Sequence, residues 1–502
     1  MTARQRSQSL LPFTLSLLSL GWSGLSWQGF IPSVMAAGQS GKTAKFSADN
    51  FAADKLSAAK PTTATAPAKR LIQRAQEVRP LPGGLDQVLV VNDNNPELIT
   101  GDGILISTFP QAPGLNQALS GRFDLFSHHV YAGSAEQLDS TLWLAVMAQP
   151  AGSSPVTLEL VGGSTSLSQA TGPNQTSAPF LPLPALMAES SAPIASGPGS
   201  RVAGDLLRGD RAQELPDRWT LHPGTASTLV VLPIPVAGLD PLLNGRNLQL
   251  RLRSSGPVHL ATLAAQGEKT TPPSLQRWQS LLQSGQLSPK EHKPTPRGSR
   301  GKMVYSRVSG IQVGTRWTAT VTDPGRTTIA LPDHPLSWPI SSLERGDLGT
   351  SQVQTAELKR FSPGTAWAAH GNYGVEYDLH LPLINAGSAQ KMVAISLESP
   401  IKNGSTASNL QFQDPPRSSV MFRGPVEVKG MDDASGRASG RRLLHLVLRQ
   451  GLEGTELGRV SLGPGEQRVV RVRLIYPADA TPPQVLTVLP VKQSMPSVSV
   501  SP

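Results

Sequence analysis

Apolar residues along this chain recur chiefly at every second position. Leu142, Leu144 and Val146 alternate with Trp143, Ala145 and Met147, and after the turn QPAGSSP, Val156, Leu158 and Leu160 alternate with Thr157, Glu159 and Val161. That period lays one side of an extended strand on a core. Leu248, Leu250 and Leu252 do the same, and so do Val470, Val472 and Leu474 with Arg471 and Arg473 between them. Shorter strands are predicted at Val88–Val91, ended by a turn cluster Asn92–Pro96, and at Gly103–Phe109. One helix is predicted near 275–284: Ser274 can cap it, Leu275, Trp278, Leu281 and Leu282 follow helical spacing, and Gly285 can close it.

The stretch AWAAHGNYGVEYDLHLPLINAGSAQKMVAISLES, residues 366–399, reads as loop, strand, polar turn and strand. Its hairpin recurs near residue 142. Aligning Ala151-Gly152-Ser153 with Ala386-Gly387-Ser388 sets Leu142, Leu144 and Val146 against Tyr377, Leu379 and Leu381. Aligning Pro223-Gly224 with Pro464-Gly465 sets Leu229 and Val231 against Val470 and Val472. Two landmarks at nearly one offset predict an internal duplication. The expected fold is all-β: tandem antiparallel β-sandwiches of immunoglobulin type, with barrels as the alternative.

Composition agrees. The 502 residues exceed one core, and 47 Gly with 45 Pro leave little room for long helices. Cysteine is absent, which removes disulfides and thiol chemistry. The formal charge is +10, but two charges lie in residues 1–36 and a net five in 37–75, leaving +3 on 76–502. A nucleic-acid binder concentrates basic charge on its folded surface, so no nucleic-acid partner is expected.

Residues 1–36 read as a cleaved secretory signal, with Arg4 and Arg6 ahead of LLPFTLSLLSLGW. No membrane span is expected after it. Residues 37–75 read as a disordered basic linker, 76–285 as the first sandwich, 286–302 as a second linker, 303–490 as the second sandwich and 491–502 as a flexible tail. Residues 162–200 read as a long irregular excursion.

No catalytic motif stands out, and neither metal nor cofactor is expected. Ser-x-x-Lys occurs at 57–60 and 299–302, both in expected linkers and without companion motifs. Arg-Gly-Asp occurs at 208–210 and 345–347, where turn chemistry explains it. Asp93, Glu97 and Asp102 lack calcium-loop spacing. The binding candidates are His128 and His129, Arg201, Asp205 and Arg208, and His370, Asn372 and Tyr373. The histidines are placed in loops just ahead of the two hairpins, with backbone hydrogen bonding as their ordinary role.

The phrases VRPLPGGLDQV (78–88), ELITGDGILISTFP (97–110), GRFDLFSHH (121–129), PGSRVAGDLLRGDR (198–211), LPIPV with LNGR (232–246), LRSSGPV (252–258), AHGNYGVEY (369–377) and YPADATPPQVLTV (476–488) resemble a family of secreted cyanobacterial proteins catalogued only as a domain of unknown function. The resemblance covers about residues 76–490. It implies a periplasmic or extracellular protein and brings no activity or ligand with it. The expected role is a non-enzymatic envelope protein that binds cell-surface material, a surface glycan or another envelope protein. The alternative is a hydrolase on envelope glycan working through a carboxylate pair.

Overall fold

The structure is a computed structural model and describes residues 69–112, 115–169, 181–182, 195–301, 303–304 and 306–491. The expected signal at 1–36, most of the basic linker and nearly all of the tail lie outside the described residues. The chain is all-β, as its period-two pattern requires. Strands β1 (Arg70–Ala75), β2 (Glu77–Val78) and β3 (Gly84–Leu85) are followed by β4 (Leu89–Leu98), β5 (Gly103–Ser107), β6 (Leu119–Ala132), β7 (Ser140–Pro150) and β8 (Val156–Leu167). The short pair β9 (Leu181–Pro182) and β10 (Ala195–Ser196) precedes helix α1 (Pro198–Arg208). Then come β11 (Arg218–Leu221), β12 (Ser227–Ile234), β13 (Leu243–Glu268) and helix α2 (Leu275–Ser284). The second half contains β14 (Val308–Val313), β15 (Arg316–Thr320), β16 (Ile329–Ala330), β17 (Leu336–Ile340), β18 (Arg360–Phe361), β19 (Glu376–Ile384) and β20 (Lys391–Ser399). It ends with β21 (Ile401–Thr406), β22 (Asn409–Asp414), β23 (Val420–Lys429), β24 (Arg442–Arg449), β25 (Leu452–Leu462), β26 (Gln467–Ile475) and β27 (Gln484–Pro490).

Two sandwiches result, and they are built alike. One sheet of the first runs β11-β8-β13-β6-β4, and one sheet of the second runs β25-β20-β27-β17-β2. The pairings match in direction too: the first three are antiparallel and the last, β6 with β4 or β17 with β2, is parallel. In the facing sheets β7 pairs β12 as β19 pairs β26. The strand–turn–strand units seen in the sequence are therefore equivalent, but they are not hairpins. β7 and β8 do not pair with each other, nor do β19 and β20; each unit crosses from one sheet to the other. The alignment also slips by one. Val230 and Leu232, not Leu229 and Val231, occupy the places of Val470 and Val472, because a bulge between Thr228 and Val230 shifts the register.

The copies differ in one strand. β13 is 26 residues long; its first part lies in one sheet, and beyond the irregularity between Ser254 and Val258 it enters the facing sheet between β7 and β5. In the second sandwich β19 pairs directly with β15.

The strands also cross the expected boundary. β2 and β3 belong to the second sandwich, pairing β17 and β15, and Leu81 is part of its core. β14 belongs to the first, pairing β4. The first sandwich is thus threaded into the second between β3 and β15. Residues expected as a linker at 286–301 are stitched to the first sandwich: the amides of Glu291 and His292 donate to Glu97, and the Arg307 guanidinium donates to the carbonyls of Ser288 (2.8 Å) and Pro289 (2.7 Å). Within the other expected linker, residues 70–75 form β1, which pairs with β22.

The helix at 275–284 is found where expected, with Arg277 N–H donating to Ser274 Oγ and Trp278 fully buried. A further helix, α1, begins inside the stretch 162–200 that reads as irregular, where Pro198 and Gly199 close a Ser/Pro/Gly/Ala-rich run. Pro198 opens it, Gly209 (φ 83°) closes it, and Val202, Ala203, Leu206 and Leu207 form its buried face against Ile475. The expected turn Asn92–Pro96 lies inside β4; Asn92, Asp93 and Asn95 are buried, with Asn92 Nδ2 donating to Gln312 and Asn95 Oδ1 accepting from the Glu97 amide.

Candidate functional site

The sequence-derived candidates divide into three places. His128 and His129 stand on β6, not in a loop. His129 Nε2 is 2.8 Å from Asp93 Oδ2, and that oxygen also accepts from Ser127 Oγ (3.2 Å) and from Thr262 Oγ1. Asp93 and His129 are fully buried, so the pair lies inside the first sandwich with no approach for a ligand. Burial, with His129 alongside, pushes the His128 imidazole down to about 4. Glu97 and Asp102 go elsewhere, Glu97 to the amides already described and Asp102 to Arg277 at 2.8 Å.

Arg201, Asp205 and Arg208 ride on α1, which lies between the sandwiches. Asp205 accepts from Ser164 Oγ (2.6 Å) and from Arg208 (2.7 Å), and Arg208 Nε donates to Asp210 (2.6 Å). The first Arg-Gly-Asp is thus the end of a helix, with its glycine in the left-handed turn. At the other end of α1, Asp479 accepts from the Ser200 amide (2.6 Å) and hydroxyl (2.9 Å). Burial reduces the basicity of Arg201 while Asp205 works against it.

The loop HGNYG joins the sandwiches. Tyr373 stacks on Phe126 with centroids 6.4 Å apart, and its hydroxyl donates to the Ala480 carbonyl (3.0 Å). Gln249 donates to the Gly374 carbonyl at 2.8 Å. Gly374 has φ 78°, and a Cβ there would lie 2.6 Å from Phe126, so glycine is required. Asn372 is buried and donates to Tyr377 Oη (2.8 Å) and the Gln354 carbonyl (3.0 Å). Both residues serve packing. Beside them, Arg251 of the first sandwich meets Glu376 of the second at 3.1 Å, and Glu376 also receives Arg316 (2.9 Å) and Arg473 (2.8 Å).

His370 points to something different. It lines a cleft of about 380 Å3 with Pro294, Thr295, Arg297, Met303, Val304, Leu343, Glu344, Arg345, Val353, Thr355, Glu357, Ala366, Trp367, Ala368 and Ala369. Four separated segments make it: the expected linker, the turn after β17, the run before β18 and the run before HGNYG. The floor is a short ribbon in which Leu358 N–H donates to Trp367 O (3.1 Å) and Ala369 N–H donates to Ala356 O (3.3 Å). Trp367 Nε1 donates to Thr295 O (3.2 Å), and the Arg297 guanidinium lies 5.4 Å from the indole centroid. Arg297 is ion-paired with Glu357, and Arg345, from the second Arg-Gly-Asp, donates to the carbonyls of Ser299 and Gly301. Burial pushes His370 down to about 3, so it is neutral at physiological pH. Apolar walls, one indole and a few placed polar groups are the make-up of a small-ligand site. Sequence reasoning found His370 alone; Trp367 and the Arg297–Glu357 pair were missed, since no spacing links four segments.

Among the described residues no three His, Asp or Glu side chains gather as a metal site, and no helix is long and apolar enough to cross a membrane. A family model described as a protein of unknown function (DUF3370) matches residues 76–490. No curated protein matches the sequence. Among solved structures, the N-terminal CBM22-1-CBM22-2 tandem domain from Paenibacillus barcinonensis Xyn10C is 9% identical, with 78% of this chain and 92% of that chain covered. Its TM-score is 0.12, so the two do not superpose and the all-β assignment rests on this chain's own strands.

Proposed function

The chain belongs to the DUF3370 family of proteins of unknown function, and from that premise we propose that it is an exported, non-enzymatic protein of the cell envelope. Its role is to bind or organise cell-surface material or another envelope protein. Export is supported by the signal-like residues 1–36. Binding is supported by one observation, the cleft at Trp367 and His370, a concavity that combines apolar walls with fixed polar groups. Binding is favoured over turnover by how its charges are engaged: Glu357 with Arg297, and Arg345 with two carbonyls. Glu344 and Glu357 are the carboxylates that a hydrolase would use there.

Tagged full-length protein, fractionated and cross-linked in its own cells, is expected in the envelope with adducts to envelope components. Recovery with cytoplasmic partners alone overturns the reading. Incubation with isolated cell-wall glycan is expected to release no new reducing ends. Release that disappears in Glu344→Gln or Glu357→Gln establishes the hydrolase instead.

A further inference from the structure

We infer that the cleft takes one or two sugar units of a neutral glycan, packed against the indole of Trp367. The inference rests on the binding role proposed for the same cleft and names its ligand class. Three observations carry it. The first is size: about 380 Å3 falls within the range of roughly 300–1,000 Å3 typical of small-ligand pockets. The second is charge. Arg297 and Arg345 are matched by Glu344 and Glu357, so neither a polyanion nor a cation is favoured. The third is the state of the backbone. The floor ribbon is closed on itself by Leu358 N–H to Trp367 O and Ala369 N–H to Ala356 O, and Arg345 occupies the carbonyls of residues 299 and 301. An extended peptide is held by a long run of free backbone groups on a sheet edge, and this floor is a two-bond ribbon rather than a strand of such an edge.

A sugar ring has the matching two-sidedness. Its C–H faces are apolar, and its hydroxyls both donate and accept. Met303, Val304, Leu343 and Val353 with the Trp367 indole, one side of which carries Arg297, suit the faces; the carboxylates accept and the guanidiniums donate at the edge. The indole is held in place by its bond to Thr295, so little ordering accompanies binding.

The test titrates maltotetraose, chitotetraose and the anionic tetragalacturonate into the full-length protein, read by calorimetry and saturation-transfer NMR. Saturable binding of a neutral tetrasaccharide is expected, about tenfold weaker in Trp367→Ala and largely kept in Trp367→Phe. If Trp367→Ala does not fold, Val353→Arg, at a position 49% exposed, obstructs the same cleft and must give the same loss. Absence of neutral-sugar binding at millimolar concentration, preference for tetragalacturonate, or binding that survives these variants overturns the inference. Envelope cross-links that persist in such a case leave the broader reading standing; a purely cytoplasmic location removes that reading without touching the sugar result.

Discussion

The two sandwiches share a strand order and differ in what they bury. The second has one large apolar core, in which Trp317, Trp338, Tyr377, Phe422 and Tyr476 meet aliphatic residues from both sheets, and a small separate cluster of Val78, Leu348, Leu410, Phe412 and Val485. The first breaks into three clusters, and Asp93 with His129 lies buried among its strands. The insertion of β13 into the facing sheet accompanies that break. The comparison teaches that pairing order and core chemistry are separable. Backbone hydrogen bonds keep the order, while the interior needs only filled volume and partnered polar groups. A polar interior is less forgiving, because removing one member strands the others.

The largest expected effect comes from cutting the copies apart. Residues 303–491 expressed alone lack β2, β3 and Leu81, and are expected to show no cooperative melt, whereas 69–491 unfolds in one transition. A folded 303–491 would restore the boundary at 286–302. Next, Asp93→Ala strips His129, Ser127 and Thr262 of their acceptor and is expected to cost about 3–5 kcal/mol in urea unfolding. The counterpart in the second sandwich is Tyr377→Phe, which removes the hydroxyl that accepts from Ser341 and Asn372 and donates to Gln354; about 1–3 kcal/mol is expected. Equal costs would erase the contrast between the two interiors.

Acid should act on both copies. Burial holds His128 at about 4, and burial with Arg423 nearby holds His445 at about 4, below the ordinary 6.5. Between those values the unfolded chain takes up protons that the folded one refuses, so stability falls as pH drops from about 6.5 to about 4. Melting temperatures measured across that window should decline less steeply in His128→Gln and His445→Gln. A slope unchanged in both variants would assign the acid sensitivity to other groups. The smallest effect belongs to the seam. Arg251→Ala removes one of three cations from Glu376 and should cost at most about 1 kcal/mol in the same unfolding assay.

Legibility followed locality. α2 could be read because its cap, apolar spacing and closing glycine all lie within a dozen residues. α1 carried similar signals in Pro198, Val202, Leu206 and Gly209, hidden by the Ser/Pro/Gly/Ala-rich run before it. Asn92–Pro96 reads as a turn in any window; only partners from β6 and β14 make it a buried strand. The duplicated units were visible through Leu142–Val146 and Tyr377–Leu381, but their pairing was not, since the same alternation suits a hairpin and a crossing between sheets. Of the cleft, His370 was visible and Trp367 was not, because its importance comes from Thr295 and Arg297, some seventy residues earlier.

By itself the sequence determined the all-β class, helix α2 at 275–284 and the equivalence of the two halves. Those follow from side-chain period and local capping, which act over a few residues. Only the tertiary structure decided that strands from residues 77–85 complete the second sandwich, that Asp93 and His129 are interior, and that four distant segments close around a cleft. Each depends on which backbone edges meet, and that choice is made by the burial of whole sheets rather than by any single stretch of chain.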